Sequence, residues 1–358
     1  MSKNILILGA GASKECGAPL IDDFLDMAED LLDFKKIDEE YIEDFKNIFE
    51  MIKTFKPIHY SIKIDLENIE NLFAAIEMAR LLKNIEGITE SKIQSMITSI
   101  RRFIFITLEK SIKMPVKGKQ VFPCSTYDRL VQLLKKIHDK KPEETFSIIT
   151  FNYDLALDYA LYFYNDIINY GLDENIGNRF PLYLKLHGSM NWVKCPKCNK
   201  IHNWSIKDFF TKYNYMFLED TKEVILDLAT KLKKSGINCC DKELESEPFI
   251  IPPIWNKTEY YKDIDKVWQM AAKELSKAEN IFICGYSLRE SDLFFRYLFG
   301  LSTIETIRIR RLWVFDPDQL NIVKDRYESF LGSGVKRNFR FFKEKFSTAI
   351  STIETLYS

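Results

Sequence analysis

The chain opens with Gly9-Ala10-Gly11-Ala12-Ser13 directly behind the apolar run Ile5–Leu8, and Gly17-Ala18-Pro19 follows. An apolar run ending in Gly-x-Gly ahead of an amphipathic stretch is how a strand delivers a nucleotide phosphate to a helix N-terminus. The backbone of Gly9, Ala10, Gly11 and Ala12 would approach the phosphate closely, and Ser13 adds a hydroxyl. Many α/β proteins carry glycines after their first strand, so the turn alone is unspecific. Three later segments give it force: Thr150-Phe151-Asn152-Tyr153-Asp154, Lys185-Leu186-His187-Gly188-Ser189, and Cys284 to Asp292.

Each segment follows a short apolar run, and ligands of open parallel sheets bind at the carboxyl ends of strands. Asn152 and Asp154 would face a ligand there, or one of them would simply cap the helix that follows. The chain has four histidines, His59, His138, His187 and His202. Only His187 stands at a strand end beside a glycine, where an imidazole can accept a proton near neutrality. Gly285-Tyr286-Ser287 makes a second tight turn into a helix, so Gly285 and Ser287 are candidates for a second phosphate or a ribose. Asp292 reads as a residue internal to that helix. Asp316, behind Trp313-Val314-Phe315, is placed to accept from ribose hydroxyls; the turn Asp316-Pro317-Asp318 would explain it equally well.

Seven cysteines, an odd number, do not read as a disulfide framework and fit a reducing cytoplasm. Cys195-Pro196-Lys197-Cys198 is half of a zinc knuckle. Its partner would be Cys239-Cys240, an adjacent pair, with His202 as an alternative fourth ligand. The site is either a structural zinc centre or a set of free thiols.

The elements that must hold these residues are six apolar runs: Ile5–Leu8, Phe146–Thr150, Tyr183–Leu186, Asn280–Cys284, Leu312–Phe315 and Phe339–Phe342. Helical periodicity separates them, as in Leu130, Val131, Leu133, Leu134 and Ile137. The alternation predicts a doubly wound, Rossmann-like parallel sheet with helices on both faces. Two stretches interrupt it: a charged, helix-periodic insertion over 35–116, and a cysteine-containing insertion over 193–251. The sheet domain then comprises 1–34, 117–192 and 252–358, with Pro252-Pro253 as a rigid return and an amphipathic helix from about Lys343. The aromatics Tyr41, Phe45, Phe49, Phe55 and Tyr60 of the first insertion are either an interface or, for most of them, its own core. The formal net charge of -1 offers no broad surface for nucleic acid, and no run approaches the ~18 apolar residues of a membrane span. The N-terminal apolar run is strand-length and is not expected to be a signal peptide.

In this order, the segments resemble the sirtuin family. Gly9–Ser13 with Gly17-Ala18-Pro19 looks like its glycine turn and Gly-x-Pro, Thr150–Asp154 like its Thr-x-Asn-x-Asp, His187-Gly188 like its catalytic-type histidine-glycine, and the C-x2-C pair lies where its zinc ribbon does. Asn-Tyr-Asp, Leu-His-Gly-Ser-Met-Asn-Trp and Gly-Tyr-Ser-Leu-Arg-Glu-Ser-Asp resemble more closely the bacterial sirtuin-like NAD hydrolases of antiphage defence. Protein deacylases follow Gly-x-Pro with Asp-Phe-Arg; here Pro19 is followed by Leu20-Ile21-Asp22-Asp23-Phe24, without the arginine. The resemblance implies cleavage of NAD to ADP-ribose and nicotinamide, depleting the cell of NAD in abortive infection. It implies that Asn152 positions the ribose hydroxyls or a water, that His187 acts as base, and that Asp154 grips the carboxamide or orients its neighbours. Gly9, Gly11, Ser13 and Ser287 would hold phosphates, and Asp316 the adenosine ribose. The implied partners are further copies of the chain, a separately encoded translocase-type ATPase or Argonaute-like protein, or a phage component. The alternatives are an NAD-dependent protein deacylase and a non-catalytic sensor of NAD or ADP-ribose.

Overall fold

The computed structural model describes residues 3–83, 89–165, 167–172, 181–213, 221–251, 262–289, 292–304 and 309–357. Six parallel strands form the central sheet: β1 (Lys3–Leu8), β2 (Thr145–Thr150), β3 (Leu182–Lys185), β4 (Asn280–Cys284), β5 (Arg311–Phe315) and β6 (Phe339–Phe342). Their spatial order is β6-β5-β4-β1-β2-β3, so the winding reverses between β1 and β4. The expected doubly wound α/β architecture is therefore present, with each strand within a residue or two of its predicted bounds. Sheets of this kind bury both faces, which is why β1 reads as an unbroken apolar run, with Ile5 to Leu8 all buried.

Register places every strand end on one edge. Leu8 pairs with Cys284 and with Thr150, Thr150 pairs with Lys185, Cys284 with Phe315, and Phe315 with Phe342. Gly9, Phe151, Leu186, Gly285 and Asp316 consequently leave the sheet side by side. The segments singled out in the sequence meet because the strands before them end in step.

The turn behind β1 enters the short helix α1 (Ala10–Lys14), and over these loops lies a helical layer: α2 (Phe24–Asp33), α3 (Glu39–Phe55), α4 (Ile69–Leu82) and α5 (Glu90–Ser111). Asn68 caps α4 by accepting from Glu70 N at 2.9 Å, and Thr89 caps α5 by accepting from Lys92 N at 3.3 Å. The layer closes on Phe103 of α5, whose ring lies 4.6 Å from Phe45, 5.7 Å from Phe49 and 6.1 Å from Phe24. Tyr41, Phe45 and Phe55 are buried and Phe49 is half-buried, so these aromatics are the core of the layer; only Tyr60, 95% exposed, faces solvent. Arg102 of α5 joins Asp44 at 3.3 Å and Glu247 at 2.6 Å, tying the layer to the cysteine-containing segment.

Cys16 and Cys124 are joined in a disulfide, which an odd cysteine count read as no disulfide framework did not lead one to expect. The two lie 108 residues apart in sequence, and only the packing of the first turn after β1 against the start of α6 (Ser125–Lys140) brings them together. The predicted return at Pro252-Pro253 lies outside the described residues. The C-terminal helix spans Phe346–Glu354. Among the described residues no helix is long and apolar enough to cross a membrane.

Candidate active site

At the reversal between β1 and β4 the two glycine turns interlock. Gly9 N donates to Cys284 O at 3.1 Å and Gly11 N to Gly285 O at 2.9 Å. A side chain has no room in this joint: a Cβ on Gly9 would stand 2.4 Å from Gly285 O, and one on Gly285, at φ +62°, 2.4 Å from Ala12 N. Glycine is required here by close approach of two backbones as much as by any ligand. The joint opens the crevice beside a topological switch point, the usual ligand position of open α/β sheets.

β2 delivers Asn152 and Asp154 to this crevice. The Asn152 amide donates to Gly9 O at 2.9 Å and to Ser13 Oγ at 3.1 Å. A carbonyl can only accept, so the NH2 side of Asn152 is fixed toward Gly9 and its Oδ1 is turned the other way. Ser13 donates its single proton to Asp154 Oδ2 at 2.8 Å, which leaves the Tyr127 hydroxyl, 2.8 Å away, as donor to Ser13. Asp154 Oδ1 accepts from Ala156 N at 3.0 Å at the start of α7 (Ala156–Asn165), so the helix-capping alternative is realised as well. Burial raises the Asp154 pKa, opposed first by the charge of Lys185; burial beside Asp154 pushes the Tyr127 hydroxyl well up, which keeps it a donor. The expected phosphate-facing Ser13 is thus a buried connector instead, its hydroxyl committed to three protein groups. Ala12 is fully buried beneath the turn.

His187 arrives from β3, 8% exposed. Its ring meets Phe151 edge-on at 5.0 Å and lies nearly parallel to Tyr153 at 6.1 Å. Its carbonyl accepts from Ile251 N at 2.7 Å, and Gly188, at φ +82°, passes Phe249 O so closely that a Cβ would stand 2.2 Å away. Aromatic walls and a pinned backbone hold the imidazole in place.

All of this lines one cavity of about 620 Å3, within the ~300–1,000 Å3 of small-molecule sites. Gly9, Ala10, Gly11, Ser13, Asn152, Asp154, His187, Gly285, Ser287 and Asp316 all reach its wall. Asp316 also accepts from Asp318 N at 3.0 Å, the turn role weighed for it, and burial raises its pKa. Asp292 stands at the N-cap of helix Leu293–Ser302, accepting from Arg289 N at 3.0 Å, and faces the cavity from a helix end rather than from within the helix. Three features have no counterpart in the sequence expectations. Tyr286 stacks on Phe151 at 4.8 Å; Arg289 pairs with Asp22 at 2.9 Å across the cavity wall; and Phe24, Ile69, Ile104 and Leu108 of the helical layer form an apolar side. The tyrosine in Gly285-Tyr286-Ser287 was the available signal for the first; the others depend on packing between distant segments.

Cys195, Cys198, Cys239 and Cys240 form a separate cluster, their sulfurs within 4.8 Å of one another. Cys198 and Cys240 each lie 3.7 Å from Cys239, sulfur to sulfur. With Zn–S near 2.3 Å a tetrahedron has edges of about 3.8 Å, so the four thiols fit a structural zinc ion. Adjacent cysteines can both point inward because Cys240 and Asp241 adopt left-handed backbone, φ +54° and +58°. The Cys198 amide draws the Cys195 thiol down toward its thiolate, while burial pushes the Cys239 thiol up. His202, the alternative ligand, sits outside the set, across a hairpin from Val193.

Fold and site define a doubly wound α/β protein with a walled cavity at its switch point and a four-thiol centre beside it. No protein-family model matches the chain, and no curated protein matches it in sequence. Solved structures that align with it include a Sir2 homolog–NAD complex, with TM-score 0.40, 14% identity and coverage of 99% of this chain and 90% of that one. Sir2 with an inhibitor, 2′-O-acetyl-ADP-ribose and a deacetylated p53 peptide aligns at TM-score 0.38 and 15% identity, covering 99% and 95%. A serine-to-alanine mutant of a Sir2 homologue with ADP-ribose gives 0.40, 14%, 99% and 92%.

Proposed function

We propose that this chain is an NAD glycohydrolase, releasing nicotinamide and leaving ADP-ribose. The observation that carries the reading is the convergence of Asn152 and His187 on one cavity whose base is the interlocked pair of glycine turns. The amides of Gly9, Gly11, Ala12 and Gly285 are spent on backbone carbonyls, so the wall offers Ser287 and Arg289 for phosphates, Asp316 for ribose hydroxyls, and aromatic rings around the imidazole for a planar base. The sirtuin-like order of motifs points to the same dinucleotide.

Nicotinamide departs as a neutral group from a ribose that gains oxocarbenium character. Asn152, its NH2 side spent on Gly9 and Ser13, presents Oδ1 to a ribose hydroxyl or to water. His187 takes a proton from that hydroxyl or from the water, and it is the water that bonds to C1′ as the bond to the nicotinamide nitrogen breaks. Asp154 acts one step back, through Ser13, which favours the orienting role over a grip on the carboxamide. Zinc, held by the four cysteines, would fix the fold of its segment and supply no chemistry to the reaction.

Such an enzyme drains a metabolite the cell needs, which fits a defence role, silent until the chain assembles with its own copies or meets a separate trigger. The test is direct. Purified chain, at rising concentration and with candidate activators, is incubated with NAD and nicotinamide is followed. Release without any acylated peptide, abolished by Asn152→Ala and by His187→Ala, is the expected result. Release that requires an acyl-lysine peptide would make the chain a deacylase, and binding of NAD without release in every assembly state would make it a sensor.

A further inference from the structure

Beneath the two catalytic loops lies a charge that the proposed reaction leaves unused. Lys185 ends β3 and is fully buried. A buried ammonium is costly unless each of its protons finds an acceptor. Here the three acceptors are Asp154 O at 2.6 Å, Asp158 Oδ2 at 2.9 Å and Tyr153 O at 3.3 Å. Only one of these is a counter-charge. The other two are main-chain carbonyls of the loop that carries Asn152.

The counter-charge is itself held. Asp158 Oδ1 accepts from Tyr170 OH at 2.6 Å and Oδ2 from Tyr183 OH at 3.2 Å. Asn191 donates to Tyr170 OH at 3.1 Å and accepts from Ser189 Oγ at 2.8 Å. The network therefore runs from Ser189, two residues beyond His187, to Asp154, two residues beyond Asn152. Lys185 sits on the strand that delivers His187 and grips the loop that delivers Asn152. A hydrophobic residue would fill the same space; it could not hold two carbonyls.

We propose that Lys185 is a positioning residue that sets the placement of Asn152 relative to His187 by anchoring the Tyr153 and Asp154 carbonyls. The kinetic part of this rests on the glycohydrolase reading; the anchoring part does not. Lys185→Met alone strands the Asp158 carboxylate in the interior, so the decisive variant is Lys185→Met with Asp158→Asn, which removes both charges together. Asp158→Asn alone leaves the ammonium without its counter-charge, at a cost in overall stability, but keeps the ammonium-to-carbonyl bonds and is the control for the grip itself.

The double variant should retain its circular dichroism, while amide hydrogen exchange in the peptide spanning Phe151–Asp154 speeds up about tenfold or more. Its kcat for nicotinamide release should fall about tenfold or more while KM for NAD stays within about threefold. Folded Asp158→Asn should keep near-native kcat and, relative to the rest of the sheet, near-native protection of that peptide. Native exchange or native kcat in a folded double variant overturns the proposal. If the double variant does not fold, the control decides, because loss of loop protection in Asp158→Asn would show that the ion pair, not the carbonyl grip, orders the loop. Should the wild-type chain release no nicotinamide in any assembly state or with any candidate activator, the glycohydrolase reading fails on its own and the exchange comparison still settles the anchor.

Discussion

Ser13 stands between Asn152 and Asp154, accepting a hydrogen bond from the first at 3.1 Å and donating one to the second at 2.8 Å. One small hydroxyl thus joins the glycine turn behind β1 to the polar pair behind β2. With Tyr127 as a third partner, the group is buried and saturated, and each member sets the direction of the next.

Ser13→Ala should therefore act on catalysis without touching substrate. It removes an acceptor from the half-buried Asn152 and a donor from the buried Asp154, at a stability cost of about 1–3 kcal/mol. Nicotinamide release should fall about tenfold in kcat with a smaller change in KM. A kcat equal to wild type would show that Asn152 holds its pose unaided.

The glycine joint makes a second expectation. Gly285→Ala forces a Cβ into the Gly11–Ala12 backbone at a φ that side chains rarely adopt, and should cost at least about 3 kcal/mol and abolish dinucleotide binding. Gly300→Ala, in a helix with open space around it, should gain about 0.5–1 kcal/mol. Thermal melts of the two variants against wild type check both signs.

Glu109 supplies a pH dependence. It is buried on α5 and accepts from Ala229 N at 2.6 Å, from Thr230 N at 3.2 Å and from the Thr230 hydroxyl. Burial raises its pKa from 4.5 to about 7, with the Thr230 bonds opposing. The folded chain keeps this proton up to about pH 7, whereas the unfolded chain releases it near 4.5, so the folded state binds more protons in between. Stability from this group is thus complete at the acid end and declines as pH rises through that window, by up to about 3 kcal/mol. Melting temperatures of wild type and Glu109→Gln between pH 5 and 8 should diverge, the variant showing the flatter profile. Parallel profiles would remove Glu109 as the cause.

The thiol cluster predicts about one zinc per chain by elemental analysis. Cys198→Ser or Cys240→Ser should lower the metal content and the melting temperature together, and a strong chelator should do the same to wild type. His202→Ala should leave the metal in place, since that ring lies outside the set. Full zinc loss in His202→Ala would return it to the ligand list.

The sheet was legible because buried parallel strands leave a local mark: Ile5-Leu6-Ile7-Leu8 and Asn280–Cys284 have no polar face to interrupt them. The candidate site was legible for a related reason, since groups that follow such runs must gather at one edge of the sheet. Direction and partnership were not. Nothing near Ser13 in the chain signals that its hydroxyl turns to Tyr127, more than a hundred residues away, nor does Cys16 announce Cys124. Lys185 looks like an ordinary residue of a strand end until Tyr153, Asp154 and Asp158 are seen around it. Cys239-Cys240 looked awkward as a metal pair because sequence does not reveal the left-handed turn at Cys240.

Helix α5 has a double allegiance. Ile104 and Leu108 on it wall the cavity, and the very next residue, Glu109, holds the first amides of the helix Leu228–Lys231. The cavity and the segment carrying the metal-type thiols therefore share a single beam, the unbroken helix α5.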